Sequence, residues 1–320
     1  MTRKAFIGMI RAAALAGALF LAGGAIPVVG GIAMLLAPAP ILIYAVGRMS
    51  PRVRSAGAVA IAGLLVTLVA GLYIGAAYLV TLGLATVLIA EMLESKRSFE
   101  IIVPVATLAM LVAVAVAALV AAGGSFDSLV AAMRAQLSES MLRGEEFYKL
   151  FGMTTEVPPD TRAAIMNTVL RLSPALAAIL AGATVLLNLM LCWRWAGKQR
   201  LSYTLFGDLS KWSAPEWLVW LLLATGFGWF VPLAPVQDIA LNGFLSIAAI
   251  YFCQGIAIIA FYFQVLSVPG FVRAIAYIFA IAQPVLAALV CLAGIFDMWI
   301  DFRRLKPPGQ EAGSFGGDFM

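Results

Sequence analysis

The chain has 320 residues, of which 63% are hydrophobic and 12% charged, with a formal net charge of +5 and no histidine. A mean hydropathy of +1.01 excludes an ordinary water-soluble domain, and the missing histidine removes the commonest general base and metal ligand. The Lys and Arg residues cluster at the ends of apolar blocks. The excess of basic residues in cytoplasmic loops of membrane proteins accounts for that pattern without a nucleic-acid partner.

Taken in chain order, Arg3, Lys4 and Arg11 flank the start of an apolar stretch that runs from Ala12 to Gly24. This fits a first transmembrane helix or, with the small residues Ala22-Gly23-Gly24-Ala25, a secretory signal peptide. Ala14, Ala18 and Ala22 fall at every fourth position. Such a stripe lets another helix approach closely, either inside the bundle or as a docking face for another membrane subunit.

A second block, Gly31 to Val46, is entered through Pro27, Gly30 and Gly31 and carries Pro38 and Pro40. Broken helices expose backbone groups that can meet a ligand, and they also occur as plain turns and kinks. Further blocks follow at Ala56 to Val69, Tyr73 to Met92 and Ile101 to Ala122. Arg48, Arg52, Arg54, Lys96 and Arg97 occupy alternate loops, which predicts a cytoplasmic N-terminus.

Ser125 to Pro159 is the one sizeable polar region. Phe126, Leu129, Val130, Met133, Leu137 and Met141 recur at three- and four-residue intervals and predict an amphipathic helix, periplasmic by the loop alternation. It would rest on the membrane surface or serve as a gate or docking element. Pro158-Pro159 ends it, and a sixth span covers Leu172 to Trp193. Arg194, Lys198, Arg200 and Lys211 mark the next loop as cytoplasmic, and Leu201 to Trp212 reads as interfacial.

Apolar blocks then run from Trp217 to Val231, Ile239 to Val265 and Phe271 to Ile300. Three crossings here place Arg303, Arg304 and Lys306 outside, against the basic-loop rule; two satisfy it if Trp217 to Val231 is re-entrant. The reading adopted is an all-α polytopic bundle of about nine (eight to nine) transmembrane helices plus a periplasmic amphipathic helix. It divides into a five-helix membrane part (1–123), a polar insert (124–160), a second membrane part (161–305) and a disordered tail (306–320).

Enzyme signatures are missing: there is no GxxxxGK[ST] loop, GxSxG elbow, HExxH or metal-spaced cluster, so neither an enzyme nor a cofactor is expected. Asp297 and Asp301 stand at i and i+4, with Arg303 and Arg304 beyond and Trp299 between, which reads as a neutralised helix end at the membrane interface. Gln254, Gln264, Gln283, Asn188 and Asn242 are the polar side chains inside apolar spans. They serve as hydrogen bonds between helices or line a pocket, with Gln254 and Gln283 the preferred pocket pair.

Three pieces stand out: Ile26-Pro27-Val28-Val29-Gly30-Gly31 with Leu36-Ala37-Pro38-Ala39-Pro40, then Gln254-Gly255, and the closing Gly294-Ile295-Phe296-Asp297-Met298-Trp299-Ile300-Asp301-Phe302-Arg303-Arg304. Together they resemble the YybS-like family of predicted bacterial membrane proteins, whose function is unknown. The front pattern is also similar to the S components of energy-coupling-factor vitamin transporters and, more distantly, to the rod-shape protein MreD. That resemblance implies a bundle with a ligand-sized cavity near its outer side. The expectation is a multi-pass protein of the bacterial inner membrane that binds or moves a small molecule as an S-component-like subunit, or else a scaffold of the cell envelope. Its partners would be the lipid bilayer and, for transport, another membrane subunit or an ATPase-coupled module.

Overall fold

A computed structural model of the protein describes residues 3–25, 29–46, 51–150, 152, 158–198 and 209–304. Among them every regular element is helical. The chain divides into two compact units, Met1–Phe206 and Gly207–Met320. The expected boundaries near 123 and 161 fall inside the first of these.

The first unit begins with α1 (Arg3–Ala25), followed by two short helices, α2 (Val29–Leu35) and α3 (Ala39–Val46). Next come α4 (Pro51–Ala70), α5 (Leu72–Tyr78) and α6 (Leu84–Glu94), with a single π-helical turn, Leu79–Gly83, joining the last two. The unit closes with α7 (Phe99–Ala121), α8 (Phe126–Leu150) and α9 (Pro159–Lys198). Its core is built from small residues. Ala12, Ala13 and Ala16 of α1 pack on Ala58, Ala62 and Val66 of α4, and the Tyr78 ring sits edge-on to Phe20 with centroids 5.0 Å apart. Leu42 and Val46 of α3 fill the space between Ile89 of α6 and Val185, Leu189 and Cys192 of α9.

Six helices among the described residues are long and apolar enough to cross a membrane, or seven if one bent pair counts as a span. The difference from the expected eight to nine arises at three places. The block after α1 is divided at Pro38 into helices of 7 and 8 residues. At 1.5 Å per residue, neither piece covers a hydrocarbon core of about 30 Å. The block expected at Trp217 to Val231 yields α10 (Leu218–Gly228), a helix of only 11 residues. The last block, expected to be continuous, bends by 99° between α12 (Gly270–Ala282) and α13 (Pro284–Ile300). Pro284 has no N–H to continue α12 and holds Gln283 in an extended conformation (φ −100°, ψ 110°).

The polar region is helical as α8, capped by Ser125, whose Oγ accepts the Ser128 N–H at 3.1 Å. It packs against α9 through an Arg162–Glu145 ion pair and an Arg134 Nη1 donation to Asn167 Oδ1 at 3.3 Å. Leu129, Val130, Met133, Leu137 and Met141 are half-buried, whereas Phe126 is exposed. The 40 residues of α9 measure about 60 Å, roughly twice the hydrocarbon thickness, so α8 pairs with turns that extend past its apolar stretch.

Prolines inside α9 and between α2 and α3 release carbonyls, and two of the freed carbonyls, Leu170 O and Leu35 O, are met by side chains. Pro174 cannot donate to Leu170 O, and Ser173 Oγ donates there instead at 2.8 Å. At the α2–α3 break Ala39 N turns to Leu36 O, which frees Leu35 O. Asn188 Nδ2 of α9 fills that vacancy at 2.7 Å and also reaches Thr184 O at 2.6 Å. Interhelical hydrogen bonds of this kind contribute about 0.6 kcal/mol on average and up to about 2. Replacing the fully buried Asn188 by Leu should therefore lower stability in detergent by roughly 1–2 kcal/mol, as read by denaturant titration. The exposed Gln264→Leu should stay within about 0.5 kcal/mol of wild type.

Candidate functional site

The second unit contains a short turn (Leu209–Lys211), α10, α11 (Ala234–Val265), α12 and α13. Helices α11 and α13 cross at backbone contact. A methyl group added to Gly255 would land on the Val290 carbonyl oxygen, and one added to Gly294 on that of Tyr251. Two glycines facing each other across a helix pair are what such a crossing demands.

One turn beyond this crossing lies a buried charge pair. Asp301 ends α13 in the left-handed region (φ 44°, ψ 62°), and the chain doubles back so that Arg303 returns alongside Asp297. Arg303 Nη2 donates to Asp297 Oδ2 at 2.6 Å, and the two side chains are 1% and 5% exposed. Gln254 Nε2 donates to the same oxygen at 3.1 Å, and the Phe302 N–H donates to Oδ1 at 3.1 Å. Arg303 Nη1 donates to Ser210 O at 2.7 Å and Trp212 O at 2.9 Å, while Gln254 Oε1 accepts the Ala214 N–H at 3.0 Å. Tyr262 of α11 adds a hydrogen bond to Phe302 O at 2.7 Å.

Gln254, Asp297 and Arg303 thus tie α11, α13 and the 210–214 segment into one knot. The carboxylate already accepts three hydrogen bonds and the Gln254 amide is used at both ends. The arrangement holds peptide segments in place and leaves these groups little capacity to bind a further molecule. Asp297 and Arg303 lie inside the protein, in place of the expected interfacial cluster, whereas Asp301 is half-buried and Arg304 exposed.

The remaining expected positions scatter. Gln283 is exposed at the α12–α13 bend and shares no site with Gln254. Pro27 lies outside the described residues. Gly30 rests against the Ala22 carbonyl oxygen, where a Cβ has no room, so it serves the α1–α2 turn-back; Gly31 is exposed. Ala14 and Ala18 are exposed and Ala22 half-buried; the helix packs through Ala12, Ala13 and Ala16 instead. Pro38 is buried at the break.

Pro40 belongs to an apolar groove of about 460 Å³ in the first unit. Ala12, Leu15 and Leu19 form one wall, recurring on a single face of α1, and Leu36, Ile43 and Leu191 contribute others. Tyr44 closes one end, with its hydroxyl donating to Ala5 O at 2.7 Å. The volume lies within the range of about 300–1,000 Å³ usual for small-molecule sites. The α1 face was legible as an i, i+3, i+7 pattern, but Leu191 is distant in sequence and only the fold brings it there. No group of three Cys, Asp or Glu residues gathers among the described residues.

Helices of spanning length and an exterior rich in exposed large apolar side chains define an integral membrane protein with several apolar helices. Residues 14–298 match the DUF2232 model, described as a predicted membrane protein, and the chain belongs to that family. This supports the YybS-like resemblance. No curated protein and no solved structure matches the chain.

Removing Arg303 while Asp297 stays buried should destabilise the protein by about 3–5 kcal/mol. Arg303→Ala is therefore expected to lose folded protein in detergent size-exclusion and thermal-shift assays. The paired change Asp297→Leu with Arg303→Met should recover only part of that loss, because it buries no lone charge but leaves the Ser210 and Trp212 carbonyls without their donor.

Proposed function

We propose that this is a non-enzymatic protein of the bacterial inner membrane, with its N-terminus in the cytoplasm, that binds a small, largely apolar molecule in the α1–α3–α9 groove. The groove carries the reading: it is the right size for a ligand, is lined almost wholly by apolar side chains, and lies at a proline break. In this proposal the protein acts as an S-component-like binding subunit, with any energy for transport coming from a partner chain or an ion gradient. Gln254 is committed to the Asp297 knot and Gln283 lies apart from it, so the groove takes over the binding role first assigned to that pair.

Filling the groove tests this. Ala39 is a buried wall residue, and Ala39→Phe should displace the occupant. The protein is purified in mild detergent and its retained small molecules are extracted and identified by mass spectrometry. Wild type is expected to retain an apolar molecule at near-stoichiometric level and the folded variant to lose it. Retention unchanged by the variant would remove the groove as the site.

A second reading, a cell-envelope scaffold, draws on the α8–α9 pair, whose outer surface carries Asp127, Glu139, Arg143 and Lys149. If that element recruits a partner, deleting Ser125 to Pro159 should abolish co-purification of the partner while ligand retention persists. Unchanged co-purification counts against the scaffold.

A further inference from the structure

From the charge at one end of the groove we infer that its occupant is an anionic phospholipid, with an acyl chain along α1 and its phosphate at Arg11 and Arg194. This rests on the groove reading above and adds the ligand class. The Tyr44–Ala5 hydrogen bond sets the C-terminal end of α3 beside the N-terminal end of α1. Leu42 and Val46 pack with Leu189 and Cys192, which brings the last turns of α9 to the same end.

At that end Arg11 lies four residues before Leu15, on the groove face of α1, and Arg194 lies three residues after Leu191, on the groove face of α9. Helical side chains lean toward the N-terminus, so Arg194 tilts back over Leu191. Both arginines are exposed, and neither is held by a carboxylate among the described residues. Arg3 and Lys4 add positive charge on the same end of α1, and the described turns of α1, α3 and the last part of α9 carry no acidic residue there. The acids of the neighbouring α6, Glu91 and Glu94, come near this end because Ala90 and Leu93 pack with Val46 and Cys192, and each is engaged with a partner of its own. The site is therefore apolar along its length and cationic at its mouth, the complement of a chain joined to a phosphate. Guanidinium groups match phosphate oxygens in geometry as well as charge.

The test uses full-length protein in liposomes doped with either phosphatidylglycerol or phosphatidylcholine, each bearing the same diazirine-labelled acyl chain. After photolysis, labelled peptides are mapped by mass spectrometry. A basic residue at a membrane surface favours anionic lipid by about fivefold. Phosphatidylglycerol is expected to label the Ala12–Leu19 and Leu191 peptides at least about fivefold more than phosphatidylcholine. Arg11→Gln with Arg194→Gln should bring the two lipids level, whereas Arg11→Lys with Arg194→Lys keeps most of the preference.

Equal labelling of the wild type by both lipids would overturn the headgroup assignment and leave the groove reading standing. Groove peptides labelled by neither lipid would overturn both. A preference that survives the double glutamine variant would remove Arg11 and Arg194 as its source. Loss of phosphatidylglycerol labelling in excess inorganic phosphate would show a soluble phosphate ligand and overturn the lipid.

Discussion

In hydrocarbon, a backbone carbonyl that loses its helical donor has no water to replace it, and every interruption of a helix must be answered from within the protein. The prolines of this chain create such interruptions, and the answers organise much of the first unit. Asn188 meets Leu35 O from a helix far away in sequence, and Ser173 meets Leu170 O from the neighbouring position. The α2–α3 break is consequently fixed to α9 by a directional bond, and the groove beside it keeps its shape without a large polar cluster. Asn188 Oδ1 is buried with no partner among the described residues, so one amide gives its donor side to the break.

The second unit meets the same constraint with a charge. The 210–214 segment presents carbonyls and an N–H that no regular helix satisfies, and Arg303 and Gln254 supply the missing partners. Asp297 makes this tolerable by neutralising the guanidinium. Burial of either ion alone carries a desolvation penalty of several kcal/mol. The glycine-to-carbonyl contacts of α11 and α13 draw the two helices close enough for a glutamine and an aspartate to meet. Packing and polar satisfaction are one feature here, and substituting Gly255 or Gly294 disturbs both.

Hydropathy made the helical blocks legible, because it depends on local composition, and residues 126–150 are helical where the three-and-four spacing predicted a helix. The number of spans was less legible. Apolar content does not report whether backbone hydrogen bonding runs unbroken, and Pro38 and Pro284 break it inside continuous apolar stretches. The closing motif shows a related gap. Asp297 and Asp301 have i, i+4 spacing, but Asp301 leaves the helix in the left-handed region, and that turn brings Arg303 back to Asp297. Gln254 and Gln283 looked equivalent by their place in apolar blocks; one is buried against a carboxylate and the other caps a bend. Family resemblance had gathered Gln254-Gly255 and Gly294 to Arg304 as separate motifs, and the fold joins them as a single contact.

The position of Arg303 also bears on the order in which the chain can mature. Its contacts to Ser210 and Trp212 span more than 90 residues, with separations of 93 and 91. A ribosome therefore delivers α10, α11, α12 and α13 before the residue that secures the segment ahead of them. Until then the Ser210 and Trp212 carbonyls have to find hydrogen-bond partners in water or in the insertion machinery. Completion of the second unit is in this sense a late event of synthesis. Quality control that samples nascent membrane proteins would find this segment open for nearly the whole time the unit is being made.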